Sequence, residues 1–178
     1  LQGAVGLGLH RRVVDLYVLA SRLWRPGTAM WIFGFSRGAW AARSLAGFIG
    51  AAGLLSPAQA QAPDALAQAE ARWLAFKGGK FKGDQAHDWG AGDAKPIRLV
   101  GVWDTVGAMG IPFFNGVHSI DLLERKALDF ADQDLGPRVA HGRHALSIDE
   151  TRFDFQPTLW NARQGIRQLW FPGVHADV

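Results

Sequence analysis

The sequence predicts an α/β protein with a mostly parallel sheet and helices on both faces, and three observations predict it. Short apolar runs at 28–35, 97–103 and 168–171 are bounded by turn signals, as buried parallel strands are. Stretches with helical spacing separate them, and strands alternating with helices imply an open parallel sheet. Residues able to do chemistry stand at the C-terminal ends of these runs, where open α/β sheets bind ligands.

Each element follows from its local pattern. From about Gly6 to Arg25 the apolar residues Val13, Val14, Leu16, Tyr17, Leu19 and Leu23 recur at helical spacing, and Pro26-Gly27 ends the helix. Thr28 to Phe35 is a strand, and Arg37 to Leu54 the helix after it. The longest apolar stretch, Ala39 to Leu55, is interrupted by Arg43 and rich in Ala and Gly, which fits a buried core helix and not a membrane span. Pro57 to Lys77 is a second helical stretch, entered past Pro63-Asp64; Gly78 to Lys95, rich in Gly, Lys and Asp, is an exposed loop. Ile97 to Trp103 is the next strand. Gly110 to Leu122 is an irregular apolar segment whose Phe113 and Phe114 would suit an acyl-binding cleft or a lid. A helix is expected over Gly136 to Ser147, and Gln168 to Phe171 is the last strand, running into Pro172-Gly-Val-His175. No repeat or linker divides the chain, so residues 1–178 read as one domain. The missing initiator Met, and an end just after a strand and a site residue, predict a partial domain truncated at both ends.

Composition narrows the chemistry. With 48% apolar and 20% charged residues the chain can bury a core. Its net charge of +3 is spread without a basic stripe, which speaks against a nucleic-acid partner. The absence of cysteine removes disulfides, thiolate nucleophiles and Cys-ligated zinc. There is no HExxH-type spacing for a metal, and no cofactor is expected. The first residues lack the basic-then-apolar pattern of a signal peptide.

The candidate site starts at Gly34-Phe-Ser36-Arg-Gly38, a G-x-S-x-G nucleophile elbow between strand and helix. The strained nucleophile needs slim neighbours two residues away on each side, and both are glycine. A serine hydroxyl needs a base, and the base needs an orienting acid. Asp104 and His175 stand at later strand ends, giving the order Ser, Asp, His expected of α/β-hydrolases. Ser36 would attack a carbonyl carbon, His175 would carry its proton, and Asp104 would fix the imidazole tautomer. The backbone N–H of Arg37 would donate to the oxyanion; the second donor would lie upstream of Leu1. Asp149 and Asp177 remain rival acids and His144 a rival base, while His10, His87, His118 and His141 read as solvent-facing or loop residues.

Five blocks together resemble a bacterial family: Gly34-Phe-Ser-Arg-Gly-Ala39, Ala42-Arg-Ser-Leu-Ala-Gly47, Gly101-Val-Trp-Asp-Thr-Val-Gly107, His144-Ala-Leu-Ser-Ile-Asp-Glu150 and Trp170-Phe-Pro-Gly-Val-His-Ala-Asp-Val178. The family is the α/β-hydrolase domain of the type VI secretion phospholipase effectors. The resemblance implies a serine hydrolase of phospholipid acyl esters, with its motifs landing on Ser36, Asp104 and His175. It also implies a secretion-apparatus or immunity-protein partner, peripheral membrane contact, and a cytoplasmic origin with delivery to a target-cell envelope. The chain departs from the family in lacking an early strand end with Asp-Gly-Thr and a glycine run after its last block. A soluble carboxylesterase for small esters, or a non-catalytic scaffold serving secretion or binding, are the alternatives.

Overall fold

The computed structural model describes residues 2–81, 89, 95–106, 134–152 and 155–178. The Gly110–Leu122 segment with Phe113 and Phe114, most of the 78–95 loop, His87 and His118 lie outside the described residues.

Helix α1 (Gln2–Leu23) buries Val13, Val14, Tyr17, Val18 and Ser21, a stripe along one face. Tyr17 stacks on Phe48 at 4.1 Å and donates its hydroxyl to the Gly53 carbonyl at 3.0 Å. Strand β1 (Met30–Phe35) leads through Ser36 into α2 (Arg37–Ala52). The Ala and Gly of α2 bring it close to the sheet, and eleven of its residues are buried. The single helical stretch expected over 57–77 is two helices, α3 (Pro57–Gln61) and α4 (Ala65–Lys77). Ser56 starts α3 with a capping box: its hydroxyl accepts from Gln59 N–H and its own N–H donates to the Gln59 side chain. Pro63 separates the two, since proline disfavours the helical conformation at the residue before it.

Among the described residues, strands β2 (Ile97–Trp103), β3 (Val139–Ser147) and β4 (Ile166–Phe171) join β1 in a four-stranded sheet of order β1-β2-β3-β4, all parallel. The helix expected at 136–147 is therefore a strand. Its side chains alternate instead of following a helical period: Gly142, His144 and Leu146 are buried, and His141 and Arg143 are exposed. The apolar core lies on the sheet face carrying Ile32, Val100 and Val102, against α2 with α1 and α4 behind it. The opposite face carries Trp31, Phe33, Phe35, Trp103, Leu169 and Phe171, all at least 40% exposed. Among the described residues, helix α2 packs on the core face, as an α/β fold requires. All strands point the same way, so their carboxyl ends form one rim.

Candidate active site

Gly34 lies where β1 meets the first turn of α2. A methyl group there would sit 2.3 Å from the Gly38 carbonyl oxygen, so only glycine fits. Gly38 itself has open space where a Cβ would go. The requirement for slim neighbours on both sides of Ser36 therefore holds at Gly34 alone. Between them Ser36 adopts φ 57°, ψ −124°, a conformation that costs a non-glycine residue about 1–3 kcal/mol. It is held there by its N–H, which donates to the Trp103 carbonyl at 2.9 Å, and by its own carbonyl, which accepts from Ala39 and Trp40. The result lifts the Ser36 side chain onto the rim. The N–H of Arg37 opens α2, where no helix carbonyl precedes it and the helix dipole is positive.

Asp104 directly follows β2, fully buried and also left-handed at φ 39°. Its carboxylate accepts three bonds: from Ser147 N–H at 3.1 Å, from the Ser147 hydroxyl at 2.7 Å and from His175 Nδ1 at 2.7 Å. A carboxylate only accepts, so the proton of His175 resides on Nδ1. Nε2 is then free to accept, and Ser36 Oγ lies 2.7 Å from it. His175 is 6% exposed. Its ring is stacked with Phe35 at 4.8 Å and meets the edge of Phe155 at 4.7 Å.

The loop carrying His175 has no regular structure, and three carboxylates fix it. Asp149 accepts from Gly173 N–H at 2.7 Å, Glu150 from His175 N–H at 3.2 Å and Asp177 from Val174 N–H at 2.9 Å. Gly173, at φ 112°, leaves no room for a side chain: a Cβ would stand 2.6 Å from the Cβ of Asp177. Asp149 and Asp177, expected as rival acids, thus bind loop amides and not the imidazole.

His144, the rival base, sits in β3 behind Asp104. Its Nε2 accepts the Thr105 N–H at 3.1 Å, and Nδ1 faces the Gln168 side-chain oxygen at 3.3 Å. The imidazole is therefore neutral with both nitrogens occupied. Burial and the nearby Arg43 guanidinium push its pKa down to about 4. Gln168 in turn bonds both backbone groups of Trp160. Arg43, buried in α2, donates to the carbonyl of Thr158 and lies over the Trp160 ring. His10, expected to face solvent, is partly buried in α1 with Nε2 2.7 Å from a Glu70 carboxylate oxygen; His141 is exposed on β3.

The structure thus brings Ser36, His175 and Asp104 into consecutive hydrogen bonds and leaves His144, Asp149 and Asp177 in supporting contacts. Such a chain can pass a proton from a hydroxyl to an imidazole while a buried carboxylate stabilises the resulting cation. Ser147, Glu150, Phe35 and Phe155 were missed in sequence. The only signal was position, since Ser147 and Glu150 flank Asp149 at the end of β3.

Comparison with known proteins gives the context. The family model of the catalytic domain of the Tle1-like type VI secretion phospholipase effectors matches residues 1–178. A curated relative, an uncharacterized protein of Saccharomyces cerevisiae, is 27% identical over 181 residues, covering 96% of this chain and 24% of that protein. A solved structure of the Tle1 effector bound to the VgrG spike of the type 6 secretion system aligns at 22% identity and a TM-score of 0.45, covering 94% of this chain and 29% of that one. The chain spans about a quarter of the length of these relatives. On the match that runs from its first residue to its last, the chain belongs to the family of Tle1-like phospholipase effector catalytic domains.

Proposed function

We propose that this chain is the core of a serine hydrolase that cleaves the acyl esters of phospholipids through a covalent acyl-enzyme. One observation carries the reading: Ser36 Oγ, His175 and the Asp104 carboxylate are linked by two contacts of 2.7 Å. Family membership supplies the substrate class.

Ser36 Oγ attacks the ester carbonyl carbon as His175 Nε2 takes its proton. Negative charge gathers on the carbonyl oxygen, toward which the Arg37 N–H donates with the positive end of α2 behind it. His175, now an imidazolium, returns the proton to the departing alcohol oxygen, and the C–O bond breaks. Water enters, gives a proton to the same nitrogen and attacks the acyl carbon, which releases the fatty acid and restores Ser36. Asp104 holds the Nδ1–H throughout and stabilises the cation formed twice per cycle. A secretion-spike partner and delivery to a target cell belong to the same proposal; the Tle1 relative was solved bound to the VgrG spike. No helix among the described residues is long and apolar enough to cross a membrane.

A fluorophosphonate probe tests the chemistry: the whole polypeptide takes the label and Ser36→Ala does not. No labelling of the wild type removes the enzyme and leaves the scaffold. Fatty-acid release from phospholipid vesicles tests the substrate. Turnover of short soluble esters with none from vesicles would identify a carboxylesterase instead.

A further inference from the structure

We infer that Glu150 is a positioning residue for His175, holding its backbone directly and its ring through Arg152 and Phe155. The inference rests on the acyl-transfer reading and adds a residue to it.

His175 is delivered by an irregular loop, so neither strand nor helix fixes where its imidazole stands. Geometry at such a site matters to a fraction of an ångström. Glu150 Oε2 accepts the His175 N–H at 3.2 Å, anchoring the residue at its own backbone. The carboxylate is itself locked. Arg152 grips it with two side-chain bonds of 2.8 and 2.6 Å, and the Arg152 backbone N–H adds a third at 2.8 Å. Only 4% of the Glu150 side chain is exposed, against 55% for Arg152. An ordinary surface ion pair exposes both partners and contributes little; this carboxylate is enclosed.

The second arm runs through the guanidinium. Arg152 lies 3.9 Å over the Phe155 ring, and Phe155 meets the His175 ring at 4.7 Å. Glu150 to Arg152 to Phe155 to His175 and back to Glu150 is a closed circuit of contacts around the residue that carries the proton. Its opposite wall is Phe35. The hydrogen bonds from Arg152 and from His175 N–H hold the Glu150 carboxyl down to about 2, so the anchor stays ionised wherever an imidazole base works.

Three measurements on the whole polypeptide test it: the rate of fluorophosphonate labelling, kcat and KM on a short p-nitrophenyl ester, and the downfield proton resonance of the His175 Nδ1–H on Asp104. A displacement of about 1 Å at such a site costs roughly 100-fold, so folded Glu150→Ala should lose about that in labelling and kcat with KM little changed. Its downfield resonance should broaden or vanish. Glu150→Gln can still accept from His175 N–H, but its NH2 then meets the Arg152 donors. It should therefore recover only part of the rate and the resonance, falling between Glu150→Ala and wild type. Should Glu150→Ala fail to fold, Arg152→Met decides, since it frees the carboxylate to turn to solvent and should slow labelling at least tenfold. Wild-type rates in folded Glu150→Ala or Arg152→Met overturn the inference, as does Glu150→Gln performing no better than Glu150→Ala. A wild type that takes no label sinks the acyl-transfer reading instead. The resonance then still reports whether Glu150 holds the imidazole on Asp104, and its persistence in Glu150→Ala would overturn the inference.

Discussion

Replacing Asp104 by Asn changes almost no volume and suits the backbone, because asparagine tolerates the left-handed conformation that Asp104 adopts at φ 39°. Its effect is therefore electronic. The carboxylate presents acceptors to three donors, Ser147 N–H, the Ser147 hydroxyl and His175 Nδ1–H. An amide has one acceptor and one donor end. With the oxygen toward Ser147 N–H, the NH2 faces His175 Nδ1 and is satisfied only if that nitrogen loses its proton. The proton then moves to Nε2, which points at Ser36 Oγ and no longer accepts. With the amide reversed, the tautomer is kept, but NH2 meets the Ser147 N–H at a cost of about 1–3 kcal/mol. In either orientation the charge that stabilises the imidazolium is gone. At about 4 Å and an effective dielectric of about 20 that charge contributes on the order of 4 kcal/mol. Together these raise the barrier by roughly 5–7 kcal/mol, or about 10⁴–10⁵-fold in kcat. The assay is ester turnover, with circular dichroism and the thermal midpoint to show that the variant is folded. A folded Asp104→Asn within tenfold of the wild-type kcat would refute the assignment of Asp104 as the orienting acid.

Ser36→Gly should abolish labelling yet fold at least as stably as wild type, because relief of about 1–3 kcal/mol of strain at φ 57°, ψ −124° outweighs one lost side-chain hydrogen bond; a lower urea midpoint contradicts it. Gly34→Ala should be severely destabilised by its 2.3 Å encounter with the Gly38 carbonyl, whereas Gly38→Ala should match or exceed wild-type stability, since it meets open space in a helix. Equal thermal midpoints for the two would show the elbow to be looser than the structure has it. His144 should make stability fall with acid. Its folded pKa, lowered to about 4, lies below the unfolded value near 6.5. The unfolded chain therefore binds the proton first, and stability is lost as pH falls from about 6.5 to about 4, by roughly 3 kcal/mol in all. Comparing urea midpoints at pH 7 and 4.5, His144→Leu should lose this slope despite a lower starting stability, and an unchanged slope would place the titrating group elsewhere.

How much of this was legible in the sequence depends on whether the cause is local. The elbow is local: an apolar run, a glycine that must admit the Gly38 carbonyl and an Ala-rich helix all lie within the span from Met30 to Ala52. Asp104 and His175 were also readable, since each follows a short apolar run, and in a parallel sheet such runs end at one rim. Strand β3 was not. Its segment Val139–Ser147 mixes Ala, Leu and Arg, good helix formers, with two His and a Gly. Pairing with β2 and β4 makes it a strand, and the inward His144 is tolerated only because Thr105 N–H and Gln168 satisfy it from 39 and 24 residues away. Tertiary pairing there overrides propensity, and no window along the chain contains the reason.

The choice among the acids has the same origin. Asp104 and Asp149 each follow a parallel strand, and composition cannot rank them. What separates them is reach: the Asp104 carboxylate meets the imidazole, while Asp149, beyond the next strand, meets Gly173 N–H and turns the loop that presents it. Two identical carboxylates thus have different tasks around one histidine: Asp104 holds its Nδ1 proton, and Asp149 holds the backbone two residues before it, at Gly173. A sequence records both residue types but not the distance that divides their tasks. Any variant that shortens or lengthens the Phe171–His175 loop should disturb both contacts together.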